Sequence, residues 1–205
     1  MLRLPILVAI ALAIAFSGGI ASSLYALKKF QGFDTITIGP WLARPDLQTA
    51  RADPYAKAYR ARQGDVLLGE AEGLVFTAGT DGAGRPLSGT CRYTISGSTP
   101  AARFWTLRAT DPDGRPLDGN PALPHAFESH DVLRDSTGAF TIVASPRPVA
   151  GNWLAMDHEG PVRFVLTLLD TPTAGNAGLI KLQMPSIRRL GCASAETAPV
   201  QKGIS

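Results

Sequence analysis

The stretch Phe104-Trp105-Thr106-Leu107-Arg108-Ala109-Thr110-Asp111-Pro112-Asp113-Gly114 decides the fold of this chain. Trp105, Leu107 and Ala109 alternate with Phe104, Thr106 and Arg108, a period of two that belongs to a half-buried strand and not to a helix. Asp-Pro-Asp-Gly then supplies turn residues at the strand's end. The same grammar recurs on either side. Leu74, Phe76 and Ala78 alternate with Val75 and Thr77, and a turn follows around Asp81-Gly82 and Gly84-Arg85-Pro86. Cys91, Tyr93 and Ile95 alternate with Arg92, Thr94 and Ser96. Phe140 and Ile142 oppose Thr141 and Val143, and Val162, Phe164, Leu166 and Leu168 alternate with Arg163, Val165, Thr167 and Leu169. Five alternating segments separated by Gly, Pro and Asp turns predict a mainly β domain, an antiparallel β-sandwich or jelly roll. A parallel α/β sheet needs helices between its strands, and the sequence offers only one short helix, ahead of them.

That helix is expected from Tyr55 to Arg62, with Asp53 as its N-cap, Pro54 at its first position and Gly64 as its stop. Its Lys57, Arg60 and Arg62 form either its solvated side or a contact with lipid headgroups. Before it, Ile36-Thr37-Ile38 reads as a short strand ending at Gly39-Pro40-Trp41. The organisation expected is an N-terminal segment over 1–29, a linker strand and helix over 30–71, the sandwich over 72–192 and a disordered polar tail over 193–205. No internal repeat emerges by inspection.

From Leu4 to Leu27 the chain carries no charge, with Arg3 before the segment and Lys28-Lys29 closing it. Twenty-four residues make a helix of roughly 36 Å, enough to cross a hydrocarbon core of about 30 Å. Two readings stand. Leu4 to Phe16 followed by Gly19-Ile20-Ala21 fits a signal peptide with its cleavage site. The apolar residues Ile20, Leu24, Tyr25 and Leu27 outlast such a signal and favour an uncleaved, single-pass anchor, so the lipid bilayer is the expected partner of this segment. The flanking charges nearly balance across it and leave its orientation open. Cys91 and Cys192 are the only two cysteines, an even count that suits a disulfide in an oxidising compartment, although two buried thiols would read the same way. The disulfide reading puts the domain on the far side of the membrane.

Charge excludes one class of partner. The chain has 20 Lys and Arg against 17 Asp and Glu. Three of those bases (Arg3, Lys28 and Lys29) flank the apolar segment, and no acid precedes Asp34, so 17 bases face 17 acids beyond residue 30. A neutral domain without a basic run gives nucleic acid nothing to bind.

The candidates for chemistry are few. Gly151-Asn152-Trp153 is the sharpest local feature, with Asn suited to a turn and Trp to a flat contact surface. Trp153 and Trp105 either form an aromatic platform for a sugar ring or lipid tail, with Asn152 beside it, or fill the core while Asn152 closes a turn. His125, His130 and His158 would need to converge with Glu128, Asp131 or Asp157 to hold a metal, and their spacing matches no compact ligand motif. The same histidines are the only candidates for a general base, in a loop cluster around His125 to His130 or in Asp157-His158-Glu159, the densest titratable group. No serine stands in a Gly-x-Ser-x-Gly elbow, and no phosphate loop or Cys-x-x-Cys pair is present. The sequence therefore names no catalytic residue, metal or cofactor.

Taken together, Cys91-Arg92-Tyr93, Phe104-Trp105, Gly138-Ala139-Phe140-Thr141-Ile142, Gly151-Asn152-Trp153-Leu154, Phe164-Val165-Leu166 and the Pro185-containing end resemble the domain of unknown function 1214 family over about Leu87 to Cys192. Gly39-Pro40-Trp41 and Asp53-Pro54-Tyr55 look like its short, single-anchor members of bacterial envelopes. The chain departs from the family at Ala155, where Pro is usual, and at Thr167 and Leu169, where Arg and Tyr are frequent. The resemblance implies a β-sandwich and a cell-envelope setting, but no activity and no catalytic residue. The expectation is thus a bacterial inner-membrane protein with its domain in the periplasm. It would be a binding or interaction module with a protein or glycan partner; the alternative is an envelope hydrolase or carbohydrate-active protein.

Overall fold

The computed structural model of the chain describes residues 3–29, 35–45, 73–117, 119–172 and 182–192, with single positions between 52 and 68. The helix expected at 55–62, apart from a few single positions, and the tail at 193–205 lie outside the described residues.

Helix α1 spans Arg3–Lys29 and packs against nothing described; the stretch Leu4–Tyr25 is long and apolar enough to cross a membrane, as an anchor or a signal sequence would be. Two of its serines bond within the helix itself, Ser17 Oγ donating to Ala13 O at 2.6 Å and Ser22 Oγ to Gly19 O at 3.1 Å. Such back-bonding is what an apolar medium demands of a serine.

Ten strands follow among the described residues: β1 Ile36–Ile38, β2 Trp41–Ala43, β3 Gly73–Ala78, β4 Cys91–Gly97, β5 Phe104–Thr110, β6 Ala126–Glu128, β7 Phe140–Ser145, β8 Asn152–Ala155, β9 Arg163–Leu169 and β10 Ser186–Cys192. They form a six-stranded sheet in the order β1-β2-β3-β9-β5-β6 and a four-stranded sheet in the order β10-β4-β7-β8. The apolar residues of each alternating strand face inward as the sequence predicts. Leu74, Phe76, Tyr93, Ile95, Trp105, Leu107, Phe140, Ile142, Phe164, Leu166 and Leu168 share one core with Leu154 and Ile187. Aromatic pairs close the space between the sheets. Tyr93 meets Phe164 edge to face with centroids 5.9 Å apart, and Trp105 lies tilted on Phe140 at 5.2 Å.

The structure departs from an all-antiparallel sandwich at one place. β7 and β8 pair in parallel, with Ile142 opposite Asn152 and Ser145 opposite Ala155. Six residues, Pro146 to Gly151, carry the chain back by about three residue steps, a distance of roughly 10 Å that an extended segment spans easily. Four short or irregular strands also escape the alternation signal. β2 completes a hairpin with β1 through Gly39, whose φ of +56° suits a tight turn. Its Trp41 is fully buried and donates Nε1–H to Pro185 O at 2.7 Å, fastening the hairpin to the start of β10. The others are β6, β8 and β10.

β10 pairs with β4 through a bulge between Arg189 and Gly191, which sets Cys192 directly across from Cys91. The two are joined as a disulfide with a Cα separation of 3.8 Å, so the last described strand is tied covalently to the first strand of its sheet in chain order.

Candidate functional site

The candidates separate once they are placed on the sheets. Trp105 points into the core from β5 and is buried, while the guanidinium carbon of Arg134 stands 5.8 Å above its ring and the same distance from that of Phe140. Trp153 stands on the opposite side of β8 from Leu154, away from the core, half-buried, with its Nε1–H on Ser145 O at 3.0 Å. One indole is inside and the other outside, so the two do not make a single platform. Asn152 is not a turn residue either. Gly151, at φ +87°, makes the turn, and Asn152 opens β8 with its side chain buried. Its Oδ1 accepts from Leu133 N at 2.8 Å, and its Nδ2 donates to Leu133 O at 2.8 Å and Thr141 O at 3.0 Å. One amide thus satisfies both backbone groups of Leu133, whose side chain is left 67% exposed, and fixes the 129–139 loop to β7.

The histidines part company. His130 stacks loosely on Phe104, centroids 5.8 Å apart. His158 lies at the other end of the segment that follows β8, under Gly160. His125 places Nε2 on Asn120 O at 2.9 Å, leaving its buried Nδ1 without a partner. Among the described residues no three His, Cys, Asp or Glu side chains converge on a metal position.

A ten-residue repeat explains how the segment Asp157-His158-Glu159 is held. Thr80-Asp81-Gly82-Ala83-Gly84-Arg85-Pro86-Leu87-Ser88-Gly89 and Thr110-Asp111-Pro112-Asp113-Gly114-Arg115-Pro116-Leu117-Asp118-Gly119 share Thr, Asp, Gly, Arg, Pro, Leu and Gly at the same places. Each follows a strand of the six-stranded sheet, β3 or β5, and both strands pair with β9. In each, the aspartate Oδ1 accepts from the backbone N–H two and four residues on, at 3.0 and 3.0 Å for Asp81 and 2.8 and 2.8 Å for Asp111. The glycine three residues after the aspartate takes a left-handed φ, +78° at Gly84 and +84° at Gly114. Asp135 builds the same turn before β7, accepting from Thr137 N at 2.8 Å and Ala139 N at 3.1 Å.

The closing glycines of the two repeats both lie close against the segment after β8. A Cβ on Gly89 would stand 2.0 Å from His158 O, and one on Gly119 would stand 3.2 Å from His125 Cε1 and 3.3 Å from Asp157 Cβ. Backbone bonds complete the cradle, Gly89 N to Gly160 O at 2.8 Å and Ala155 N to Pro124 O at 2.8 Å. The structure therefore sets both His125 and Asp157 against Gly119, sets the His158 backbone against Gly89 and leaves His130 elsewhere. The signal that could have revealed this cradle is the ten-residue repeat itself.

One charged group is buried in the first repeat. Asp81 accepts Arg85 Nε–H at 2.9 Å, and Arg189 Nε lies 3.4 Å from the same carboxylate. The Arg189 guanidinium covers the Tyr93 ring at 5.4 Å and reaches Pro86 O. Burial pushes the Asp81 carboxyl up, but the N–H groups of Arg85 and Ala83 and the Arg85 guanidinium outweigh it and hold it below its ordinary 3.8.

The fold and these turns define a two-sheet β-sandwich behind an apolar N-terminal helix. Residues 72–173, about half of the chain, match the model of the family described as "Protein of unknown function (DUF1214)". Over that span the resemblance seen in the sequence holds; β10 with Cys192 lies beyond it. A comparison with curated proteins finds no match. Among solved structures, the VPA0106 protein from Vibrio parahaemolyticus superimposes with a TM-score of 0.54 at 22% identity, over 69% of this chain and 36% of that one. An uncharacterised protein from Burkholderia cenocepacia follows with a TM-score of 0.40 at 21% identity, over 63% and 32%. The chain spans about a third of the length of these structures, and the first supports the fold alone.

Proposed function

We propose that this protein is a single-pass, membrane-anchored β-sandwich on the periplasmic side of a bacterial inner membrane, where it serves as a binding or interaction module of the cell envelope. The observation that carries the reading is the Cys91–Cys192 bond between neighbouring strands of a domain that follows an apolar helix. Such a bond persists in oxidising compartments and is rare where thiols are kept reduced. The binding role draws on the sites themselves. Trp105 and Asn152 are engaged in the core and the 133 clamp, and Trp153 alone among the three tryptophans offers ring surface outside.

An alkaline phosphatase fused after Ser205 tests the topology. An active fusion is expected, and an inactive one on a stably expressed protein overturns the placement. A second reading, an envelope hydrolase or carbohydrate-active protein, has the placement of both His125 and Asp157 against Gly119 in its favour. That reading requires His125→Ala to abolish turnover of a glycan or ester substrate, whereas a binding module loses nothing measurable.

A further inference from the structure

The outer face of the four-stranded sheet has a charge character of its own. The register sets Trp153, Val143, Thr94 and Arg188 in one row across β8, β7, β4 and β10. All four point away from the core, since Leu154, Ile142, Tyr93 and Ile187 point into it. Arg92 precedes Tyr93, which pairs with Ala144, and so it stands across from Ser145. The Trp153 indole leans toward that same end, held by its bond to Ser145 O, and Arg147 lies just past it. Arg92, Arg147 and Arg188 are exposed, and among the described residues none has an ion-pair partner. Four other arginines are matched by acids: Arg85 and Arg189 meet Asp81, Arg103 meets Asp170 and Arg115 meets Asp113, whereas Arg108, Arg134 and Arg163, which lie off this face, have no acid within ion-pair distance among the described residues. The outward positions of these four strands hold no Asp or Glu. In a domain whose charges balance, this face carries guanidinium groups and no carboxylate, with a half-exposed indole at its β8 edge and Arg188 at its β10 edge.

We propose that this face binds an acidic, carboxylated polysaccharide. Trp153 would stack on a sugar ring, while Arg92 and Arg188 hold carboxylates by paired N–H bonds and Thr94 meets a hydroxyl. A planar guanidinium matches a carboxylate in two-pronged geometry, and an indole face accepts the C–H face of a sugar. A row that runs from an indole at one sheet edge through a hydroxyl to a guanidinium at the other suits an extended polymer with repeating charge. A bilayer surface would instead call for apolar side chains free to insert, and Trp153 is pinned to the sheet by its N–H. The inference rests on the binding-module reading above and names the ligand class.

The test uses the full chain in detergent micelles, with polygalacturonate as the acidic probe, dextran as the neutral one and phosphatidylglycerol vesicles as the lipid one. Tryptophan emission should shift with polygalacturonate alone, because Trp41 and Trp105 are buried, and Trp153→Phe should remove that shift. Arg92→Gln with Arg188→Gln should weaken binding about tenfold or more, the loss expected for charge-assisted hydrogen bonds, while Arg103→Gln leaves it unchanged. Melting temperatures of the variants check that each folds. Absence of polygalacturonate binding, equal weakening by Arg103→Gln, or binding confined to the vesicles overturns the proposal. The phosphatase fusion is read independently, so an active fusion without glycan binding removes only this ligand.

Discussion

Asp81 and Asp111 occupy the same place in the same turn, yet one is buried among cations and the other is partly open to water. Removing the first should leave two backbone donors and the Arg85 Nε–H without their acceptor and Arg189 without its counter-charge. Asp81→Ala is expected to cost about 2–4 kcal/mol, and Asp111→Ala about 1 kcal/mol or less, read as denaturant midpoints at equal slope. Because the Asp81 carboxyl is held below its ordinary 3.8, its contribution is present in full above that value and fades as pH falls through the folded value. The wild type should therefore lose stability below about pH 4 more steeply than Asp81→Asn does; parallel acid profiles would contradict the assignment. Glycines of the repeat divide in the same manner. Gly89→Ala drives a Cβ to 2.0 Å from a carbonyl oxygen and should cost about 3 kcal/mol or more. Gly114→Ala meets open space and carries only the strain of φ +84°, about 1 kcal/mol.

At the scale of elements, the strands that alternate cleanly were legible because their buried and exposed faces differ in every second residue. Leu74-Val75-Phe76, Tyr93-Thr94-Ile95 and Trp105-Thr106-Leu107 needed nothing more than a period of two. β8 was not legible, since Asn152-Trp153-Leu154-Ala155 is short and follows a glycine turn, and its parallel pairing depends on where the six-residue return lands. β10 hides behind a bulge that breaks the period at Leu190. Asn152 shows why site reasoning stopped short: an Asn after Gly reads as a turn, and only the fold reveals that its amide closes on a residue nineteen positions away. Asn152→Ala strips Leu133 of both partners and should destabilise by about 2–4 kcal/mol. Amide exchange at Leu133 should quicken accordingly, and an unchanged exchange rate there would show that the clamp is not what holds the loop.

The whole molecule combines an apolar helix, a neutral sandwich and one covalent tie. The positive excess of the chain sits beside the helix, so the domain's interactions depend on local patches and not on net charge. The tie closes a loop of 101 residues, for which the chain-entropy model gives about 4.7 kcal/mol as an upper expectation. Reduction should lower the melting temperature without abolishing the fold, because β10 also keeps its ladder to β4 and the Arg189–Asp81 contact. The most direct test of the account is the redox state of Cys91 and Cys192 in living cells. Cells are quenched in acid, denatured with a maleimide-polymer reagent and compared with and without prior reduction. The account expects no mobility shift without reductant and a two-thiol shift with it. A two-thiol shift in the unreduced sample would contradict both the disulfide and the compartment assigned from it.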